Sequence, residues 1–176
     1  MKKILIIVIV IVGLSSLAYF AGRNSTPNNS QVSTNTITNN TDDTLSPVVN
    51  SGNVLNLSGQ GLTKAPEYIF KQTNLEELNL SNNKLDGALQ SQVGNLKNLK
   101  ILNLSNNNFT GVPAEVGQLK NLEILNLSNN SLTGLPNELG NLSKLKLLDL
   151  SGNNYSETDL QKIKQTLPSF TVIKTK

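Results

Sequence analysis

The chain has 176 residues, with 15 Lys plus Arg, 12 Asp plus Glu, and no His, Cys or Trp. Zero Cys excludes a disulfide framework, a zinc knuckle and a thiol nucleophile, and zero His excludes the commonest general base and transition-metal ligand, so triad hydrolases are out. The net charge is only +3: Lys2, Lys3 and Arg23 against Asp42 and Asp43 leave +1 before residue 48, hence +2 beyond it, too little clustered charge for a sequence-independent nucleic-acid binder.

Residues 1–23 open with Lys2 and Lys3, followed by an apolar run from Ile4 to Val12 and an uncharged stretch reaching Ala21. As a helix rising roughly 1.5 Å per residue, residues 4–21 span about 27 Å, near the short end of a bilayer's hydrocarbon thickness. This predicts a signal-anchor that crosses the cytoplasmic membrane once, lysines inside and the rest exported. Ser16-Leu17-Ala18 also fits a small-x-small cleavage site, so secretion after cleavage is the alternative. Residues 24–47 are nearly all Asn, Thr and Ser. They cannot bury enough surface to offset their ordering entropy and read as a disordered tether, roughly 25 to 30 Å in average span.

From residue 48 the chain repeats, and the repeat accounts for much of the 30 Leu and 27 Asn. Leu75-Glu-Glu-Leu78-Asn-Leu80-Ser-Asn-Asn83-Lys-Leu85 aligns with copies opening at Leu99, Leu122 and Leu145, and a degenerate copy runs from Gly52 through Leu55, Leu57 and Gln60 to Leu62. The pattern resembles the leucine-rich repeat family, L-x-x-L-x-L-x-x-N-x-L, in a mixture of 23-residue and plant-like 24-residue copies. The resemblance covers about residues 52–167, as repeats 52–74, 75–98, 99–121, 122–144 and 145–167. It implies an α/β fold: a right-handed solenoid with a short parallel β-sheet on its concave face. The Lys-Lys leader and the lack of a Cys-rich cap suggest a bacterial surface protein.

The residues supply the physics beside the name. Counting from the opening leucine, positions 4 and 6 (Leu78 and Leu80, Leu102 and Leu104, Leu125 and Leu127, Leu148 and Leu150) alternate with polar residues, the period of a strand buried on one face. One coil cannot cover them, and the next coil does. At position 9 stand Asn83, Asn107, Asn130 and Asn153; the family resemblance implies that they form a ladder bonding the backbone of adjacent coils at the bend after the strand, where backbone groups left unpaired would be costly. Gln60 stands there in the first copy. Pro66, Pro113 and Pro136 set up short helical turns, and Val93, Leu96, Val116, Leu119, Leu139 and Leu142 form a second apolar set under the convex side. The second copy has one extra residue near Gly87 and Gln90 in the proline position. A cap over residues 156–176 is expected: a capping box from Ser156 to Asp159, a helix through Leu160, Ile163 and Leu167 stopped by Pro168, and a last strand over residues 170–173. Val48 and Val49 offer a thin cover at the other end.

No catalytic constellation appears. Glu76 and Glu77 are adjacent carboxylates with no repeated His, Cys or Lys partner, so the reading is non-enzymatic, with no metal and no cofactor. The concave face is the candidate site, with a protein or peptide as its partner. Position 3 puts Val54, Glu77, Ile101, Ile124 and Leu147 in a row. The apolar part is open to two readings, a contact surface or cross-strand packing with no partner. Position 5 (Asn56, Asn79, Asn103, Asn126, Asp149) and position 7 (Ser58, Ser81, Ser105, Ser128, Ser151) are expected to form side-chain ladders that solvate the face. Position 2 alternates in sign, Glu76, Lys100, Glu123, Lys146, which favours stacking in register. The Asn-x-Ser triplets arise from the repeat consensus and do not argue for glycosylation. A structural or adhesive surface protein, contacting glycan or associating with itself, is the alternative function.

Overall fold

The computed structural model describes residues 53–175. The expected membrane segment over 4–21, the expected tether over 24–47 and the expected cover by Val48 and Val49 lie outside the described residues. Among those described, no helix is long and apolar enough to cross a membrane.

Each coil contributes one three-residue strand to a parallel sheet: β1 (Val54–Asn56), β2 (Glu77–Asn79), β4 (Ile101–Asn103), β6 (Ile124–Asn126) and β7 (Leu147–Asp149), with β8 (Val172–Lys174) added by the cap. Their order is β1-β2-β4-β6-β7-β8, every pair parallel and without offset. A second, two-stranded sheet pairs β3 (Asp86–Ala88) with β5 (Asn108–Gly111). The register slips between Gly87 and Ala88, so the extra residue of the second copy is absorbed as a local bulge and the main sheet is undisturbed.

The leucines at positions 1, 4 and 6 fill the interior. Leu78, Leu102, Leu125 and Leu148 are fully buried, as are Leu80, Leu127 and Leu150. On the opposite side, 3-10 turns at Glu67–Lys71, Ser91–Asn95, Ala114–Gln118 and Asn137–Asn141 bury Ile69, Val93, Val116 and Leu139. The residue ahead of each turn is extended at φ between −62° and −72°, which proline imposes at Pro66, Pro113 and Pro136. Gln90 adopts the same angles and compensates through its side chain, whose Nε2 donates to the Ala65 carbonyl of the preceding coil at 2.9 Å.

The turns at Ala114–Gln118 and Asn137–Asn141 approach so closely that glycine is required between them. A Cβ at Gly117 would lie 2.7 Å from the carbonyl carbon of Glu138 in the next coil. Gly94 and Gly140 hold the equivalent places, and the first coil has Phe70 there.

The position-9 asparagines form the ladder that the family resemblance implies. Asn107 is buried. Its Nδ2 donates to the carbonyls of Leu80 (3.0 Å), Leu104 (3.1 Å) and Ser105 (3.2 Å), and its Oδ1 accepts from the Leu85 N–H at 3.1 Å. Asn83, Asn130 and Asn153 repeat the pattern. Each therefore closes its own bend and ties it to the coil before. Gln60 reaches only its own coil, at 3.5 Å from the Ser58 carbonyl.

The cap forms with two differences. Ser156 accepts from the Asp159 N–H at the start of α1 (Glu157–Lys164), which buries Leu160 and Ile163. The helix ends at Lys164, ahead of Leu167, although Leu167 is still buried. The last strand extends one residue past Ile173. It pairs as a sixth repeat strand, Val172 opposite Leu147 and Ile173 opposite Leu148.

Replacing Asn107 by Ala is expected to cost roughly 3 kcal/mol in urea unfolding, since backbone groups of two coils lose their partner. Gly117→Ala should also lower the midpoint, whereas Gln60→Ala should leave it nearly unchanged.

Candidate functional site

The sheet's concave face is built from positions 3 and 5, whose side chains point away from the core because neighbouring strand residues alternate. Register places Val54, Glu77, Ile101, Ile124, Leu147 and Val172 side by side. The expected row is thus assembled, and the cap strand extends it to Val172, which is 58% exposed. The five others are half-buried. Four adjacent strands, β4, β6, β7 and β8, carry aliphatic residues in it. Glu77 breaks the row at β2.

Positions 5 and 7 depart from expectation. They do not form ladders across coils. Within each coil the position-5 carbonyl oxygen accepts from the N–H two residues on: Asn79 from Ser81 at 3.0 Å, Asn103 from Ser105 at 3.1 Å and Asn126 from Ser128 at 3.0 Å. The hydroxyls of Ser105 and Ser128 donate to the same oxygens at 2.8 and 2.7 Å. Ser81, Ser105 and Ser128 are buried and do not solvate the face. The turn that ends each strand folds the serine inward, under the asparagine. Asp149 is corrected too. It is 8% exposed, accepts from Ser151, and its second oxygen lies 3.4 Å from Lys174 Nζ. It is not free for a ligand.

Position 8 was missed. Asn82, Asn106 and Asn129 have φ of 57°, 56° and 53°, and Gly59 and Gly152 hold the same place at 68° and 67°. Only glycine and asparagine enter this left-handed region cheaply, so the Gly/Asn restriction of that column was the signal. The three exposed asparagines bond side by side, Asn106 to Asn82 at 3.0 Å and Asn129 to Asn106 at 2.9 Å.

The rim at position 2 carries alternating charge, as the stacking argument requires. Lys100 donates to Glu76 at 2.6 Å and Lys146 to Glu123 at 2.6 Å. The hydrogen bond from Lys100, with a second from Asn53, holds the Glu76 carboxyl below its ordinary value, and that from Lys146 does the same for Glu123. Lys100 is raised by the same contact with Glu76. Glu76 is therefore a structural partner, and no second carboxylate joins Glu77. Among the described residues no group of three or more acidic side chains could hold a metal ion.

Stacked coils, one strand each, with an asparagine closing the bend in four of them, define a repeat solenoid with one open sheet face. The chain matches the leucine rich repeat family over residues 53–109 and 97–154, more than half its length, and belongs to that family. Receptor-like protein 18 of Arabidopsis thaliana is 46% identical over 56 residues, 32% of this chain and 7% of that protein. The chain spans less than a tenth of the length of the curated relatives it matches. A leucine-rich-repeat protein of Leptospira interrogans is 36% identical with a TM-score of 0.55, covering 64% of this chain and 35% of the other. The ectodomain of the Arabidopsis thaliana membrane receptor kinase GASSHO1/SCHENGEN3, in complex with Casparian strip integrity factor 2, is 36% identical with a TM-score of 0.57, covering 68% and 16%.

The rim ion pairs give a pH dependence with a definite sign. A depressed carboxylate contributes stability that is present above its unfolded value, about 4.5, and is lost as pH falls through the lower folded value. The melting temperature is expected to drop below pH 4.5 more steeply at low salt than at high salt. The Glu76→Gln, Glu123→Gln double variant should flatten that difference, as thermal scans in both buffers would read.

Proposed function

We propose that the chain is a non-enzymatic recognition module that binds a protein or peptide through the concave face of its solenoid, and that it is displayed outside the cytoplasmic membrane of a bacterial cell. The observation that carries the reading is the in-register row Ile101, Ile124, Leu147 and Val172, four aliphatic side chains on adjacent strands, the first three half-buried and Val172 58% exposed. A contiguous apolar strip on one face is a surface on which a partner's apolar side chains can be buried. Similarity to an ectodomain solved with Casparian strip integrity factor 2 and to receptor-like proteins supports the same reading. The apolar run over residues 4–21, followed by a polar tether over 24–47, supports display outside the membrane, and N-terminal sequencing of the expressed chain separates anchor from secreted form.

The test is a pull-down with the full chain and its Ile101→Glu, Ile124→Glu variant. The variant is expected to keep its circular dichroism spectrum and lose the bound partner, because two carboxylates enter the apolar strip. A correctly folded variant that retains the partner would contradict the reading.

One observation favours a second reading, self-association. Phe170 aligns with Leu145 as position 1 of the cap strand, yet it is 61% exposed where Leu75, Leu99, Leu122 and Leu145 are at most 2% exposed. Concentration-dependent light scattering abolished by Phe170→Ser would support association through that end, and a monomer at all concentrations would reject it.

A further inference from the structure

The concave face carries two features besides its apolar row, and together they describe the segment it takes. The first is a line of unused donors. The Oδ1 atoms of Asn79, Asn103 and Asn126 are held by the serine two residues on. That contact fixes which way each amide points, and among the described residues the Nδ2 groups donate to nothing. Among the described residues the one fully buried side-chain polar atom without a partner is the Tyr155 hydroxyl, so these three Nδ2 groups keep some access to solvent. They stand on β2, β4 and β6, one per coil, beside the apolar row. The line stops at β7, where Asp149 replaces asparagine and is paired with Lys174.

The second feature is Glu77. It lies in the apolar row itself, with Val54 and Ile101 as its strand neighbours. Among the described residues it makes no ion pair and no side-chain hydrogen bond. The nearby cation on the rim, Lys100, is committed to Glu76 at 2.6 Å. The face thus has one uncompensated carboxylate at its β2 end, aliphatic surface from β4 to β8, and amide donors alongside.

We infer that the concave face takes an extended peptide segment that lays a Lys or Arg over Glu77, sets aliphatic side chains along Ile101, Ile124, Leu147 and Val172, and turns backbone carbonyls to the Nδ2 groups of Asn79, Asn103 and Asn126. This rests on the concave-face reading above and gives it a ligand class and a direction. Five strands from β2 to β8 at about 4.8 Å apart span about 19 Å, which about six extended residues cross. A peptide fits the surface better than a glycan does. Sugar faces stack on aromatic rings, and positions 3 and 5 of the described strands hold none.

The test uses the full chain and fluorescent seven-residue peptides. One set has Lys at either end followed by aliphatic residues, and a matched set has Glu in place of Lys. The Lys peptides are expected to bind about fivefold tighter than the Glu peptides, and Glu77→Lys should reverse that order while Ile101→Glu, Ile124→Glu weakens both sets. Equal affinity of the two sets for the unaltered chain, with both still weakened by the isoleucine substitutions, would overturn the cation assignment and leave the concave-face reading standing. Binding of a chitin-type oligosaccharide with no peptide bound would overturn both.

Discussion

One asparagine per coil makes this architecture possible. A strand of three residues must end in a sharp bend, and a bend inside a stack leaves backbone groups that neither water nor a sheet partner can satisfy. The side chain of Asn107 meets that need with four hydrogen bonds, two within its coil and two reaching back to the coil before. The same contact is repeated by Asn83, Asn130 and Asn153, so the polar and the apolar requirements are met by the same act of stacking. Leucines at positions 1, 4 and 6 are hidden because the coils lie close. The coils can lie close because the bends are satisfied and, on the far side, because glycine at residue 117 admits the backbone of the next coil. No single coil contains enough of either to be stable alone.

Much of this is legible in the residues. Leucine at fixed offsets gives the buried face, asparagine at position 9 gives the bend, and proline gives the entry to each 3-10 turn. What was hidden depends on three-dimensional neighbours. Ser105 and Ser128 read as solvated because they are polar and stand on a consensus column, yet the turn folds them beneath Asn103 and Asn126. Asp149 shares a column with asparagines of the open face, but Lys174, which neutralises it, comes from a strand with almost no repeat signature. That strand escaped notice as a sixth copy because Phe170 and Thr175 replace leucine. The left-handed column from Gly59 to Gly152 was visible as a Gly/Asn restriction and went unread.

Nearly identical coils have a consequence for function. Where every copy repeats the same residue, the column serves the coil: the asparagine ladder ties coils together and the inward serines hold the turn within each, while the alternating charges of the rim pair between coils. On the proposed function, recognition falls to positions that vary from coil to coil along one face. Glu77 amid aliphatic neighbours, the change from asparagine to Asp149, and the added Val172 are such departures, and they give a face built on repetition two distinguishable ends.

The dependence of each coil on its neighbours is tested most directly by urea unfolding of the full chain beside a variant lacking residues 99–144, a deletion that sets Leu145 in the place of Leu99 and keeps the repeat phase. The account predicts a lower unfolding free energy and a smaller dependence on denaturant for the shortened chain, because two core-filling coils and their ladder contacts are gone. An unchanged midpoint and slope would contradict it, since the remaining coils would then owe nothing to the ones removed.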